Sequence, residues 1–447
     1  MTQPSRPNRA RYLVLALALA LGSAAPASFA KTAAARVAVD IAYQQFTLPN
    51  GLRVTVHTDR KAPIVAVNLW YHVGSKDEPM GKSGFAHLFE HLMFQRSENH
   101  DGEFFAPFKQ VGVTDQNGTT STDRTNYFEN VPTTALDTAL FMESDRMGHL
   151  LGAIDQAVLD EQRGVVQNEK RQGENQPYGR SYNALVAKMY PKTHPYGHTV
   201  IGSMNDLNAA SLEDVKSWFR SWYGPNNAVL VLAGDIDLAT AKAKAAQYFG
   251  DIPASASLKA KPPMIAARKA TTRDAMTDRV AQVRIIRTWN VPQYSSPDVQ
   301  KLQLFAQVLG GSRASRLDKR LAFGDKSVDS VSASMDASEL GGTFDIVANV
   351  KNDVDPAVVE KAIDEELTRL LKDGPTAAEL EQARTVFKAD FVRGIERIGG
   401  FGGKAGALAE WTVYTGNPGC FRVQLARIAS ATPAHENKTP NHWLRVG

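Results

Sequence analysis

Gly84-Phe-Ala-His-Leu-Phe-Glu-His-Leu-Met-Phe94 is the stretch from which the rest of the chain is read. Phe85, Leu88, Phe89 and Leu92 recur at helical spacing, which predicts an amphipathic helix with its apolar faces inward. His87 and His91 then lie one turn apart on one face, so both imidazoles can reach a single ion. Neutral imidazole suits zinc, whose tetrahedral shell keeps a position open when the protein supplies three ligands. Glu90 projects about 100° around the helix from His91, close enough to meet a water at the metal without ligating it. A third ligand has to come from elsewhere. With 10 histidines in 447 residues, a chance His-x-x-Glu-His is expected about 0.01 times per chain. The plainer alternative is two surface histidines on an amphipathic helix with a capping Glu.

Outward from this helix the chain alternates strand-like and helix-like stretches. Tyr43 to Leu48, a turn at Pro49-Asn50-Gly51, and Leu52 to His57 read as a hairpin. Ile64 to Val73 reads as a buried strand, Thr119 to Pro132 as one extended segment, and Thr134 to Leu151 and Asp155 to Gly173 as helices. Val229 to Gly234 is a short apolar strand. Residues 253–275, with Pro253, Pro262 and Pro263 among Ala, Ser and Lys, read as a linker. Beyond it come strands at Val280 to Asn290, Ser327 to Met335 and Gly342 to Asn349. Helices are read at Asp298 to Leu309, Pro356 to Lys372 and Thr376 to Gly394. The fold class is therefore α+β, with domains over 42–252 and 276–447 and a boundary near residue 258.

Hydrophobic residues make up 43% and charged residues 22%, close to globular averages, and net charge is +4. No long Lys/Arg block occurs, so a nucleic-acid partner is not expected. Arg6, Arg9 and Arg11, the apolar run Tyr12 to Leu21, and Ser28-Phe29-Ala30 have the layout of a signal peptide cleaved after Ala30. Residues 31–41 would be an extension of the mature chain. The apolar run is too short for a retained span, so the expected location is periplasmic or secreted, without stable membrane insertion. Cys420 is the single cysteine, which rules out an intrachain disulfide and a cysteine-built zinc site.

The order His-x-x-Glu-His is the inverzincin signature, and several ordered stretches resemble the M16 peptidases. Gly84 to Phe94 matches that family's zinc helix. Val165-Val-Gln-Asn-Glu-Lys170 resembles the later helix whose Glu completes the metal shell, and Glu169 lies 78 residues after His91. Trp222-Tyr-Gly-Pro-Asn-Asn227 resembles the end of the family's first domain. Leu309-Gly-Gly-Ser312 with Ser315-Arg-Leu317 resembles the opening of its second. The resemblance implies two consecutive LuxS/metallohydrolase-like α+β sandwich domains, with an antiparallel-rich sheet and helices on one face, forming half of a clamshell. It implies one Zn2+ per chain held by His87, His91 and Glu169, with Glu90 as general base for hydrolysis of peptides or unfolded protein segments. Asn117, Gly118, Thr119 and Thr120 would bind an extended substrate as an added strand. A second M16 half would come from downstream sequence, a partner subunit or a homodimer, and a fragment of a longer two-half protein is favoured.

The sequence departs from the family's pattern at several points. One histidine should donate its second ring N–H to an acceptor; Gln162 stands where the family has an acid, leaving Glu161 as the candidate. Arg96 replaces a usual Gly, at a cost of roughly 1 kcal/mol if that position is left-handed. Asp329 occupies a place where the family carries Tyr. Pro440 is expected to interrupt a helix and the last strand of the second domain to be missing. These departures keep a second reading open: a non-catalytic scaffold or peptide-binding subunit of the same fold. Two other motifs are discounted. Gly399-Gly-Phe-Gly-Gly-Lys404 lacks the phosphate-loop spacing, and His194-Pro-Tyr-Gly-His198 reads as a structural turn.

Overall fold

The computed structural model describes residues 39–433, except 257 and 259, and residues 438–444. The signal-peptide reading of 1–30 lies outside the described residues. Nine strands are described: β1 (Gln44–Thr47), β2 (Arg53–Thr58), β3 (Ile64–Tyr71), β4 (Thr114–Thr120), β5 (Thr125–Pro132), β6 (Ala228–Gly234), β7 (Val283–Val291), β8 (Val328–Ala337) and β9 (Gly342–Val350). The first six form one sheet in the order β1-β2-β6-β3-β5-β4, with β2 and β6 parallel and every other pair antiparallel. The last three form an antiparallel sheet in the order β7-β9-β8.

The first sheet carries α1 (Phe85–Leu92), α2 (Leu136–Gly148), α3 (Gln156–Asn175), α4 (Gly179–Met189), α5 (Met204–Asn208), α6 (Leu212–Trp222) and α7 (Leu238–Phe249). The second is followed or flanked by α8 (Asp298–Gly310), α9 (Pro356–Asp373), α10 (Ala377–Gly394), α11 (Gly403–Thr415), α12 (Cys420–Ser430) and α13 (Lys438–Trp443). Alternation along β3 divides the core. Val67, Leu69 and Tyr71 face α1 and α2, while Ala66 and Trp70 face the other way. That other face is covered by α11, through Ala405, Leu408, Ala409 and Trp411. A separate core lies between the second sheet and α8, α9 and α10.

Three expectations need correction. Thr119 to Pro132 is not one extended segment but the hairpin β4–β5. Ser121 turns it: its Oγ accepts from the Asp123 and Arg124 amides at 3.2 Å, and its amide donates to Arg124 O at 2.8 Å. Pro440 does not break a helix; it lies within α13, whose described residues run from Lys438 to Trp443. Arg96 is not left-handed, since Asp115, Tyr178 and Lys326 are the non-glycine residues with positive φ among those described. The Pro49-Asn50-Gly51 turn does form, with Gly51 at φ 94°.

The described residues of 250–282 carry no helix or strand, yet several are tied down. Lys261 Nζ reaches Asp77 at 2.6 Å, and the Met264 amide donates to Leu340 O at 2.7 Å. Nearby, Glu339 from the β8–β9 turn meets Lys76 at 3.2 Å and His72 at 2.8 Å, pinning the two sheets together. No described helix is long and apolar enough to cross a membrane.

Candidate metal centre and active site

The helix α1 is set by what surrounds its first turn. Gly84 has φ 91°, and a Cβ there would meet Ile201 O at 2.7 Å, so only glycine fits. The fully buried Glu78 carboxylate accepts from the Ala86 amide at 2.7 Å and the Gly84 amide at 3.1 Å, satisfying donors that a helix start leaves free. Burial raises this carboxyl well above its ordinary range, against the pull of those amides. The sequence reading missed Glu78; its position six residues before Gly84 was the available signal.

Four residues apart within α1, His87 and His91 stand side by side with ring centroids 4.9 Å apart. From α3, Glu169 Oε2 comes within 3.8 Å of His87 Nε2 and 3.6 Å of His91 Nε2. One ligand atom from each of the three lies within 4.8 Å of the others. Two imidazoles and a carboxylate converging at this spacing fit a zinc ion. Burial, with help from the neighbouring His91, lowers His87 to about 4, which keeps that ring neutral and ready to ligate.

Glu90 points beside this trio. Burial raises its carboxyl to about 7, against the pull of Thr120 and Arg124, a value suited to a general base at neutral pH. Thr120 Oγ1, on β4, donates to Glu90 Oε2 at 2.5 Å. Thr119 turns to the opposite side and donates to Asn126 Oδ1 at 2.6 Å. Asn117 Oδ1 accepts from the Gly118 amide at 2.8 Å. A Cβ on Gly118 would stand 2.6 Å from the Phe94 ring, just past α1. Thus the Asn117–Thr120 strand lies against the end of the histidine helix, and it forms the edge of its sheet.

Glu161 is not brought to the histidines. Eight residues before Glu169 on α3, it sits on the exposed side, whereas the seven-residue spacing of the buried Gln162 keeps to Glu169's face. Among the described residues, the buried His87 Nδ1 has no hydrogen-bond partner. Arg96 has a task that its sequence position did not suggest. Its Nε donates to Ala153 O at 2.9 Å and Nη2 to Asp155 at 2.6 Å. Asp155 in turn caps α3 through the Val158 amide, so Arg96 joins the end of the histidine helix to the start of the helix bearing Glu169. His194 spends both ring nitrogens, on Met264 O at 2.6 Å and the Tyr196 amide at 3.0 Å, in keeping with a structural turn.

A two-sheet α+β fold with a His-x-x-Glu-His helix and a distant glutamate defines a class of metallopeptidase-like proteins. Residues 53–202 match the family model described as Insulinase (Peptidase family M16), and residues 209–387 match the Peptidase M16 inactive domain. The chain belongs to peptidase family M16. It is 29% identical over 359 residues to the zinc protease PqqE of Helicobacter pylori, covering 79% of this chain and 80% of that one. An uncharacterized zinc protease of Streptomyces coelicolor is 26% identical, over 87% and 84% of the two chains. The crystal structure of a Helicobacter pylori protease superposes with a TM-score of 0.82 at 26% identity, over 90% of this chain and 97% of that one. The periplasmic protease PqqL of Escherichia coli superposes with a TM-score of 0.76 at 19% identity, over 91% of this chain but 46% of its own. Zinc is the cofactor these relatives imply, and the donor set fits it.

Proposed function

We propose that the chain is a zinc-dependent endopeptidase or oligopeptidase acting on peptides or unfolded protein segments, with one Zn2+ held by His87, His91 and Glu169. The observation that carries the reading is the convergence of those three side chains beside Glu90, itself tied to an edge strand. Zinc bound there would polarise the scissile carbonyl and acidify a water. Glu90 takes the water's proton and returns it to the leaving amine. The free edge of β4, from Asn117 to Thr120, receives the substrate as an added strand, so the scissile bond is presented beside Glu90. The buried setting of Glu90 strengthens its interactions with reacting charge.

A second half of the same fold closes over this edge, supplied by downstream sequence, a partner subunit or a second copy. The match to slightly less than half of PqqL supports such pairing. Export to the periplasm or medium is supported by the leader pattern in residues 1–30, and N-terminal sequencing of the mature protein tests it. For the activity, zinc is measured by elemental analysis on wild type and Glu169→Gln, with cleavage of a quenched peptide alongside. About one zinc per chain, lost in Glu169→Gln, is expected. Glu90→Gln should keep its zinc and lose roughly 10²–10⁴-fold in cleavage rate. Well-folded wild type without zinc refutes the peptidase and leaves a scaffold or peptide-binding subunit.

A further inference from the structure

Within the glycine-rich stretch Gly399 to Lys404, Gly400 to Gly403 form the rim of a cavity of about 420 Å³. The cavity lies on the α11 side of the first sheet, the side away from α1: its floor is Asn68 and Trp70 of β3, with Phe128 of β5. Phe391 and Trp411 wall it from α10 and α11. Gly400, Gly402 and Gly403 have φ of 80°, 84° and 70°, a backbone path that glycine follows without strain. It carries Phe401 edge-on over Phe128, ring centroids 4.9 Å apart.

Two charged groups face this apolar space. Arg124 leans over the Trp70 ring at 4.9 Å and spends Nη1 on Thr119, through O at 2.8 Å and through Oγ1. Burial lowers its pKa, and Glu410 is among the charges that oppose this. Glu410, on α11, is itself raised by burial against the pull of Arg124. Each therefore senses the other, yet among the described residues no ion pair joins Arg124 to any carboxylate. Asn68 is 1% exposed, and among the described residues neither its Oδ1 nor the indole N–H of Trp70 has a hydrogen-bond partner. Buried charges and polar atoms left this way are costly unless something completes them.

We infer that this cavity binds a free α-amino acid with a bulky apolar side chain, its carboxylate on Arg124, its ammonium toward Glu410 and its side chain among the aromatic walls. The opposed charges select a zwitterion: the end residue of a longer peptide carries one of the two charges and would leave the other group unmatched. The volume falls in the range that encloses small ligands. Thr119 joins the cavity to the substrate-side strand, since Thr119 holds Arg124 and the next residue, Thr120, holds Glu90.

The test is isothermal titration calorimetry of the full chain with L-phenylalanine, 3-phenylpropionate and phenethylamine. It is run on wild type, Arg124→Gln, Glu410→Gln and Glu169→Gln, with circular dichroism on each. L-phenylalanine should bind saturably, with each single-charge analogue at least about tenfold weaker. Binding should persist in Glu169→Gln, separating the cavity from the metal centre. It should weaken at least about tenfold in Arg124→Gln and in Glu410→Gln; the latter is an isosteric change that keeps the proposal testable if the former misfolds. Absence of saturable binding by L-phenylalanine at millimolar concentration overturns the assignment. So does equal binding of 3-phenylpropionate, or binding that folded Glu410→Gln leaves unchanged.

Discussion

Glu339 offers a measurement of how firmly the two sheets are joined. Its carboxylate accepts from His72 Nε2 at 2.8 Å and meets Lys76 Nζ at 3.2 Å, linking the β8–β9 turn to the region just after β3. Burial alone would raise this carboxyl, but the hydrogen bond from His72 and the charge of Lys76 outweigh it and hold it at about 2. A fall from the ordinary 4.5 to about 2 corresponds to about 3 kcal/mol at 1.36 kcal/mol per pH unit, and partial solvent screening reduces it to ~2 kcal/mol. The folded-state value is depressed, so the stabilisation is fully present above the unfolded value near 4.5 and fades as pH falls toward 2. Glu339→Gln should therefore cost ~2 kcal/mol at neutral pH, lowering the unfolding temperature by about 3 °C, and roughly half of that by pH 3.5. Urea unfolding of wild type and variant at the two pH values reads both quantities, with the exposed Glu381→Gln as control. A loss at neutral pH no larger than the control's, or one that does not shrink in acid, refutes the charge-linked joint.

Three further outcomes follow from packing near the site. Gly118→Ala places a methyl against Phe94 and Tyr127; it should destabilise by about 1–3 kcal/mol in thermal unfolding and slow peptide cleavage. Arg96→Ala removes the tie to Ala153 and Asp155; zinc affinity by chelator competition should fall roughly 10-fold or more, while stability changes by less than ~1 kcal/mol. Arg146→Met strips the partner of the fully buried Glu143 and the cation that lies 3.7 Å over Phe104; urea unfolding should show a loss of about 3–5 kcal/mol.

The histidine helix was legible because its period and its chemistry agree: Phe85, Leu88, Phe89 and Leu92 turn inward while His87 and His91 stay together. The Asn50-Gly51 hairpin was legible for the same local reason. What escaped the sequence depends on distance along the chain. Ser121 reverses the strand with a hydroxyl no larger than those around it, so the β4–β5 turn left no Gly or Pro to mark it. Arg96 reads as a missing glycine until Asp155 is seen beside it, and Glu161 reads as a plausible partner until the turn of α3 carries it outward. Nothing local tells that α11, more than 300 residues downstream of β3, completes the first sheet.

That placement of α11 has a consequence for synthesis. Ala66, Trp70, Val229, Val231 and Ala233 wait for Leu408, Ala409 and Trp411, and roughly 180 residues separate β6 from the end of α11. At 5–20 residues per second a ribosome needs about 10–35 s to supply them. During that interval a finished strand order presents a largely bare apolar face, with only Ile41 and Tyr43 of its own half packed on it. A chain cut at the apparent boundary near 258 would keep most of that face bare permanently, so the unit that folds is longer than the unit that carries the metal ligands.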